Sequence, residues 1–149
     1  MMETPPDNNP KSVLGMRKPS MACVPPIAFL HLSKAMMNGQ EKYGLMNWRE
    51  NYISASIYYD AAMRHLISWY DGETMDPESG VHHLGHVMAC CAILLDGELL
   101  GTLNDNRAST GGRFPVLCRE MAKEKTNGES DTPKRTEGAY WPGTSEQGD

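Results

Sequence analysis

Ile53-Ser54-Ala55-Ser56-Ile57-Tyr58-Tyr59-Asp60-Ala61-Ala62-Met63-Arg64-His65-Leu66-Ile67-Ser68-Trp69-Tyr70 is apolar over most of its circumference when wound as a helix. Its main polar members fall on one line. Ser56, Asp60, Arg64, Ser68 and Asp71 are spaced by four, four, four and three residues, which stacks their side chains on a single face. Such a line is either a solvated stripe carrying an Asp60–Arg64 ion pair or the polar wall of a cavity shared with neighbouring helices.

The flanking sequence supplies the neighbours. Downstream, an acidic connection from Asp71 to Gly80 contains Asp76-Pro77, which reads as a helix N-cap followed by proline in the first turn. A third helix then continues through Val81-His82-His83-Leu84-Gly85-His86 and the apolar run Val87 to Leu95, stopping near Asp96-Gly97. Upstream, Pro25-Pro26 opens a helix with Ile27, Phe29, Leu30, Leu32, Ala35, Met36 and Met37 at helical spacing, and Asn38-Gly39 is its expected stop. Gln40 to Arg49 lacks periodicity and mixes aromatic, amide and charged side chains, as a binding loop does. The expected class is all-α, an antiparallel helical bundle with an extended N-terminal arm and a largely disordered C-terminal tail. The boundaries are a polar arm over 1–20, a helical domain over 21–100, and a flexible tail over 101–149 with a weak helix at 114–125. No repeat or heptad run interrupts this plan.

Composition removes several function classes. The 149 residues carry a net charge of −5, so a basic protein that coats duplex nucleic acid is excluded. The run Val87 to Leu95 is half the length of about 18 residues needed to cross a bilayer, so no membrane partner is expected. The first ten residues lack the basic start and apolar core of a secretory signal, which makes a cytoplasmic location the expectation, the host cytoplasm if the chain is phage-encoded. Cys23, Cys90, Cys91 and Cys118 include no Cys-x-x-Cys pair and read as small buried thiols rather than as disulfides or a zinc ribbon.

The residues that can carry chemistry crowd into 30 positions. His82, His83 and His86 have separations that let two imidazoles share one helix face, and His65 adjoins Arg64 on the preceding helix. Imidazoles bind transition metals and shuttle protons. Asp60, Glu73 and Asp76 lie in the same stretch, and helical bundles build metal sites from such acidic and imidazole side chains on facing helices. Phosphate-loop, dinucleotide-binding, nucleophile-elbow and His-Glu-x-x-His motifs are all absent, as is a His-Asp dipeptide.

A set of short motifs carries a resemblance. Lys18-Pro19-Ser20, Val24-Pro25-Pro26, Lys42-Tyr43-Gly44, Asn47-Trp48-Arg49, Tyr58 with Asp60-Ala61, Arg64-His65, Gly72-Glu73, Asp76, Ser79-Gly80 and His83-Leu84-Gly85-His86 together resemble the phage and prophage dATP/dGTP diphosphohydrolase N-terminal domain. The likeness covers about residues 11–97. That family is similar to the all-α MazG-like nucleotide pyrophosphohydrolases, which split a nucleoside triphosphate between the α and β phosphates with Mg²⁺ or Mn²⁺. The resemblance therefore implies a purine dNTP as substrate, a dNMP and pyrophosphate as products, and in some relatives a supply of dGMP for 2-aminoadenine DNA.

MazG-like enzymes hold their metals with a Glu-x-x-Glu on one helix and a Glu-x-x-Asp on another; this chain has no Glu-x-x-Glu, and where a Glu-x-x-Asp leading into an apolar helix would be expected it has His83-Leu84-Gly85-His86 and then Val87 to Leu95. The implied metal ligands are Glu41, Asp60, Glu73, Asp76, His83 and His86, holding Mg²⁺ or Mn²⁺; the implied catalytic groups are Asp60, His65, His83 and His86. Lys18, Lys42, Arg49 and Arg64 are candidate phosphate cations. Tyr43 and Trp48 are candidates to stack on the base, and Asn47 to read its edge. A homo-oligomer, dimer or tetramer, is expected because three helices make a thin core. The alternatives are a histidine-using phosphohydrolase that releases phosphate or triphosphate, and a non-catalytic module that binds a nucleotide or a protein.

Overall fold

The computed structural model describes residues 8–109 and 111–126, with side chains described as far as residue 123. The first seven residues of the expected arm and residues 127–149 of the expected tail lie outside that range. The chain divides into two units, Met1–Arg107 and Ala108–Asp149. The described part of the second unit holds one helix, Phe114–Thr126, over the stretch read as a weak helix.

The first unit is helical. A short α1, Pro10–Gly15, interrupts the expected arm, opened by Asn9, whose side chain accepts from the Lys11 backbone N–H. A 3-10 turn at Met21–Cys23 precedes α2, Pro26–Tyr43. A second such turn, Asn47–Arg49, leads to β1, Ile53–Ser54, then α3, Ala55–Tyr70, and α4, His83–Leu100. β2, Leu103–Asn104, pairs in parallel with β1, Ile53 opposite Leu103. The helix after residue 113 is numbered α5.

Both α2 and α3 pack against α4. Ile53, just before α3, touches Gly97 near the end of α4, while His65 late in α3 meets His83 at the start of α4, so the two helices run antiparallel. Across the other contact, a Cβ on Gly85 would lie 2.7 Å from the His31 carbonyl oxygen of α2, so only glycine allows the two backbones this near.

Four boundaries differ from the sequence reading. The α2 helix runs through Asn38-Gly39 to Tyr43, because a mid-helix glycine costs only about 1 kcal/mol against alanine and packing outweighs it. The α3 helix begins at Ala55, since Ile53 and Ser54 pair with β2. The α4 helix begins at His83 rather than after Asp76, and runs to Leu100, capped by Gly101 at φ 74°, rather than stopping near Gly97. At its full length α4 is apolar enough to cross a membrane, which the run Val87 to Leu95 alone is not.

The buried apolar set is small: Ala35, Trp48, Ile53, Ala55, Val81, Ala89 and Cys90. Among the described residues no large side chain is fully buried, whereas Ile57, Tyr59 and Ile67 on α3 and Leu95 and Leu99 on α4 are exposed. All four cysteines are free, as expected, but only Cys90 is buried; its surroundings push the thiol up to about 11. Cys23, Cys91 and Cys118 are exposed.

Candidate functional site: a histidine and carboxylate cluster

The cluster is built by the tight loop between α3 and α4. A single antiparallel bridge joins Met75 to His82, and within it the Asp76 N–H donates to the Val81 carbonyl at 2.9 Å. The Gly80 N–H donates to the Asp76 carbonyl at 2.8 Å, with Gly80 at φ 66°, where a side chain would be strained. Asp76 is therefore a turn residue and not the cap of α4: its carboxylate accepts from the Glu78 N–H at 3.3 Å and the Ser79 hydroxyl at 2.6 Å. The cap is His82, whose Nδ1 accepts from the Leu84 N–H at 3.1 Å.

The loop and the two helices bring six side chains together. His83, only 3% exposed, has Nε2 at 2.9 Å from Glu73 Oε2 and Nδ1 at 2.9 Å from His65 Nδ1. His65 lies flat on His86, with ring centroids 4.3 Å apart and planes within 13°. His86 Nε2 stands 2.8 Å from Ser79 Oγ and 3.5 Å from Asp76 Oδ2. The resulting series is Glu73, His83, His65, His86, Ser79, Asp76, with a carboxylate at each end.

Burial keeps His65 and His86 below the ordinary imidazole value, and for both the charge of Asp76 opposes the shift without cancelling it. Burial acts to raise Asp76, but hydrogen bonds from the Ser79 hydroxyl and from the backbone of Glu78 and Ser79, with His86 nearby, bring it below the usual carboxylate range. Neutral imidazoles flanked by carboxylates can take up a proton and pass it on.

The other residues expected at the site fall into three groups. Asp60, Arg64, Glu41 and Lys18 are exposed, and among the described residues their side chains make no hydrogen bond or ion pair, so the Asp60–Arg64 pair is not formed. The line from Ser56 to Asp71 is thus largely a surface stripe, and His65 is the α3 residue that faces the imidazoles of α4. Lys42 is held near the cluster by Glu78 at 2.9 Å, and its charge is felt at His86 as that of Arg64 is felt at His65. Tyr43 is 70% exposed beside it, and Asn47 is half-buried, its carbonyl accepting from the Asn51 amide.

Trp48 and Arg49 do not line the site. Trp48 is 8% exposed and its indole N–H donates to Asp96 Oδ2 at 2.7 Å. Arg49 grips the same carboxylate through Nε and Nη2 at 2.8 and 3.1 Å. Sequence reasoning missed Asp96, treating it as a helix stop, and missed His31, whose ring centroid lies 4.9 Å from that of His82 and whose buried Nδ1 has no hydrogen-bond partner among the described residues. Only the histidine count hinted at it: His31 is the fifth, and all five gather around the start of α4.

The donor set does not fit a resident divalent ion. Both His83 nitrogens face hydrogen-bond partners, His86 Nε2 faces Ser79 and Asp76, and Asp60 and Glu41 take no part in these contacts. Among the described residues no three His, Cys, Asp or Glu side chains converge as a metal site requires.

The fold is a mostly helical domain in which imidazoles and carboxylates come together at the start of one central helix. The family model described as dATP/dGTP diphosphohydrolase, N-terminal, matches residues 8–107, and the chain belongs to that family. The matched region contains the whole cluster. No curated protein and no solved structure matches the chain.

Proposed function

We propose that this chain hydrolyses a purine deoxynucleoside triphosphate, dGTP or dATP, between the α and β phosphates, releasing the dNMP and pyrophosphate. The observation that carries the reading is the diphosphohydrolase family match spanning the cluster in which buried His83 and half-buried His65 and His86 meet carboxylates. Lys42 and Arg64 are the cations whose charge reaches that cluster from two different helices, and they suit a polyphosphate laid across its mouth. The Lys42–Glu78 pair is exposed and therefore weak, so a phosphate can displace the carboxylate. The divalent ion, Mg²⁺ or Mn²⁺, enters as part of the substrate, bound to the triphosphate it neutralises.

The apolar faces left open on α3 and α4 support a second copy of the chain as partner. The cytoplasm, where dNTPs are found, is the matching compartment. A dGMP product would suit the 2-aminoadenine supply that the family resemblance suggests for phages. Incubating the protein with each dNTP and Mg²⁺ or Mn²⁺, then separating products, tests the reading. Purine dNMP with pyrophosphate is expected. A deoxynucleoside with triphosphate would establish the histidine-using alternative, and nucleotide binding without turnover the non-catalytic one.

A further inference from the structure

The hydrogen-bond series assigns a proton to each nitrogen in turn. A carboxylate accepts and cannot donate, so at 2.9 Å from Glu73 Oε2 it is His83 Nε2 that carries the hydrogen. A neutral ring has only one, which leaves His83 Nδ1 a bare lone pair facing His65 Nδ1 at 2.9 Å. His65 must then donate from Nδ1, and its Nε2 is left bare. The same logic runs inward from Asp76: Ser79 donates to the carboxylate at 2.6 Å, so its oxygen accepts from His86 Nε2–H at 2.8 Å. The bare nitrogen of His86 is Nδ1, beside its own Cβ, whereas that of His65 is Nε2, at the tip of the ring.

We propose that Glu73 and His83 lock His65 into the Nδ1–H tautomer, and that His65 Nε2 is the general base that takes a proton from the water attacking the α phosphorus. The proposal rests on the α–β hydrolysis reading and adds to it the group that moves the proton. As the water oxygen bonds to the α phosphorus, one water proton passes to His65 Nε2 and the bond to the β-phosphate oxygen breaks, with its electron pair leaving on pyrophosphate. The imidazolium so formed donates more strongly to His83, whose own donation to Glu73 spreads the charge to a carboxylate. The ionisable groups facing His65 are His83 and His86 from α4, Asp76 and Glu78 from the loop, and Arg64 on its own helix. Asp76 and Glu78 favour the charged ring, while Arg64 and His83 oppose it.

The test joins two readouts. Long-range ¹H–¹⁵N correlation spectra of the whole protein should show His65 protonated at Nδ1, and His83 and His86 at Nε2. In the assay, His65→Asn keeps an amide donor near the Nδ1 position and removes the base, so kcat should fall by about 10²–10⁴-fold with KM nearly unchanged. Glu73→Gln keeps an acceptor but removes the charge that favours imidazolium, so the acidic limb of its kcat profile should move to lower pH. A structural role alone would not move that limb.

Finding His65 protonated at Nε2 overturns the relay whatever the activity. Full kcat in His65→Asn, with dNMP and pyrophosphate still formed, overturns the base while the hydrolysis stands. If wild-type protein yields other products, the α–β reading falls and the base falls with it. Unchanged circular dichroism separates loss of a base from loss of the fold.

Discussion

The two ends of α4 use carboxylates in opposite ways. At its end, Asp96 is saturated: the Trp48 indole and the Arg49 guanidinium both donate to it, and neither cation nor anion is left over. At its start, Glu73 accepts from His83 and Asp76 lies beside His86, and burial keeps His65 and His86 below the usual basicity of an imidazole, so those two rings can take up a proton and release it. A closed ion pair fixes the chain between α2 and α3, whereas an open series of neutral rings can take part in a reaction.

If that contrast is right, mutations at the two ends should separate activity from stability. His83→Ala removes the middle of the series and should lower kcat on the order of 10²-fold, the scale of an acid–base contribution that has lost its orientation. Asp96→Asn should leave kcat nearly unchanged and lower Tm. Steady-state kinetics beside thermal melts of both proteins check the pair, and equal effects on kcat would erase the distinction.

Within the closed end, the tryptophan sets the scale. Trp48→Ala should cost about 3–5 kcal/mol, as removal of a buried aromatic does. Trp48→Phe loses chiefly the indole hydrogen bond and should cost about 1 kcal/mol. Urea titrations followed by circular dichroism measure both.

The glycines of α4 differ in the same graded way. Gly85→Ala would press a methyl against the His31 backbone, which cannot yield locally, and should destabilise by about 1–3 kcal/mol despite the better helix propensity of alanine. Gly97→Ala meets the far end of the Ile53 side chain at 2.8 Å, which can turn aside, so its cost should be nearly offset by the gain in propensity. Comparing the two melting curves tests whether α2 and α4 touch through backbone.

Acid should weaken the two ends in sequence. His65 and His86 have folded-state values below the ordinary 6.5, so the unfolded chain binds protons first. Their stabilising share is complete above pH 6.5 and is lost as pH falls through the depressed folded values. Asp96 is held below the ordinary 3.8 by hydrogen bonds from Arg49 and then Trp48, so its share is complete above 3.8 and lost only below that. Denaturant midpoints taken from pH 8 to pH 2 should show the first decline near neutrality, and His65→Asn should flatten that decline while sparing the second.

The helices and the family were legible because their signals are local. Apolar spacing marked α2, α3 and α4, and motifs such as His83-Leu84-Gly85-His86 and Ser79-Gly80 pointed to the family now found over residues 8–107. The three imidazoles of the cluster and its two carboxylates were among the residues singled out, but their partners were not. Asp76 before Pro77 reads as a cap, and only the Met75–His82 bridge turns it into a loop residue that holds Ser79 against His86. Asp60 stands on the polar line that periodicity picks out and His65 does not, whereas the contact with α4 decides which line is inward. Trp48, Arg49 and Asp96 are nearly 50 positions apart, and no local pattern records a hydrogen bond of that span.

The most direct measurement is hydrolysis of Mg²⁺-bound dGTP in ¹⁸O-labelled water, with the label located by mass spectrometry. Attack at the α phosphorus places one heavy oxygen in dGMP and none in the released pyrophosphate, the result this account requires. Label appearing in pyrophosphate, or unlabelled deoxyguanosine released with labelled triphosphate, would contradict it.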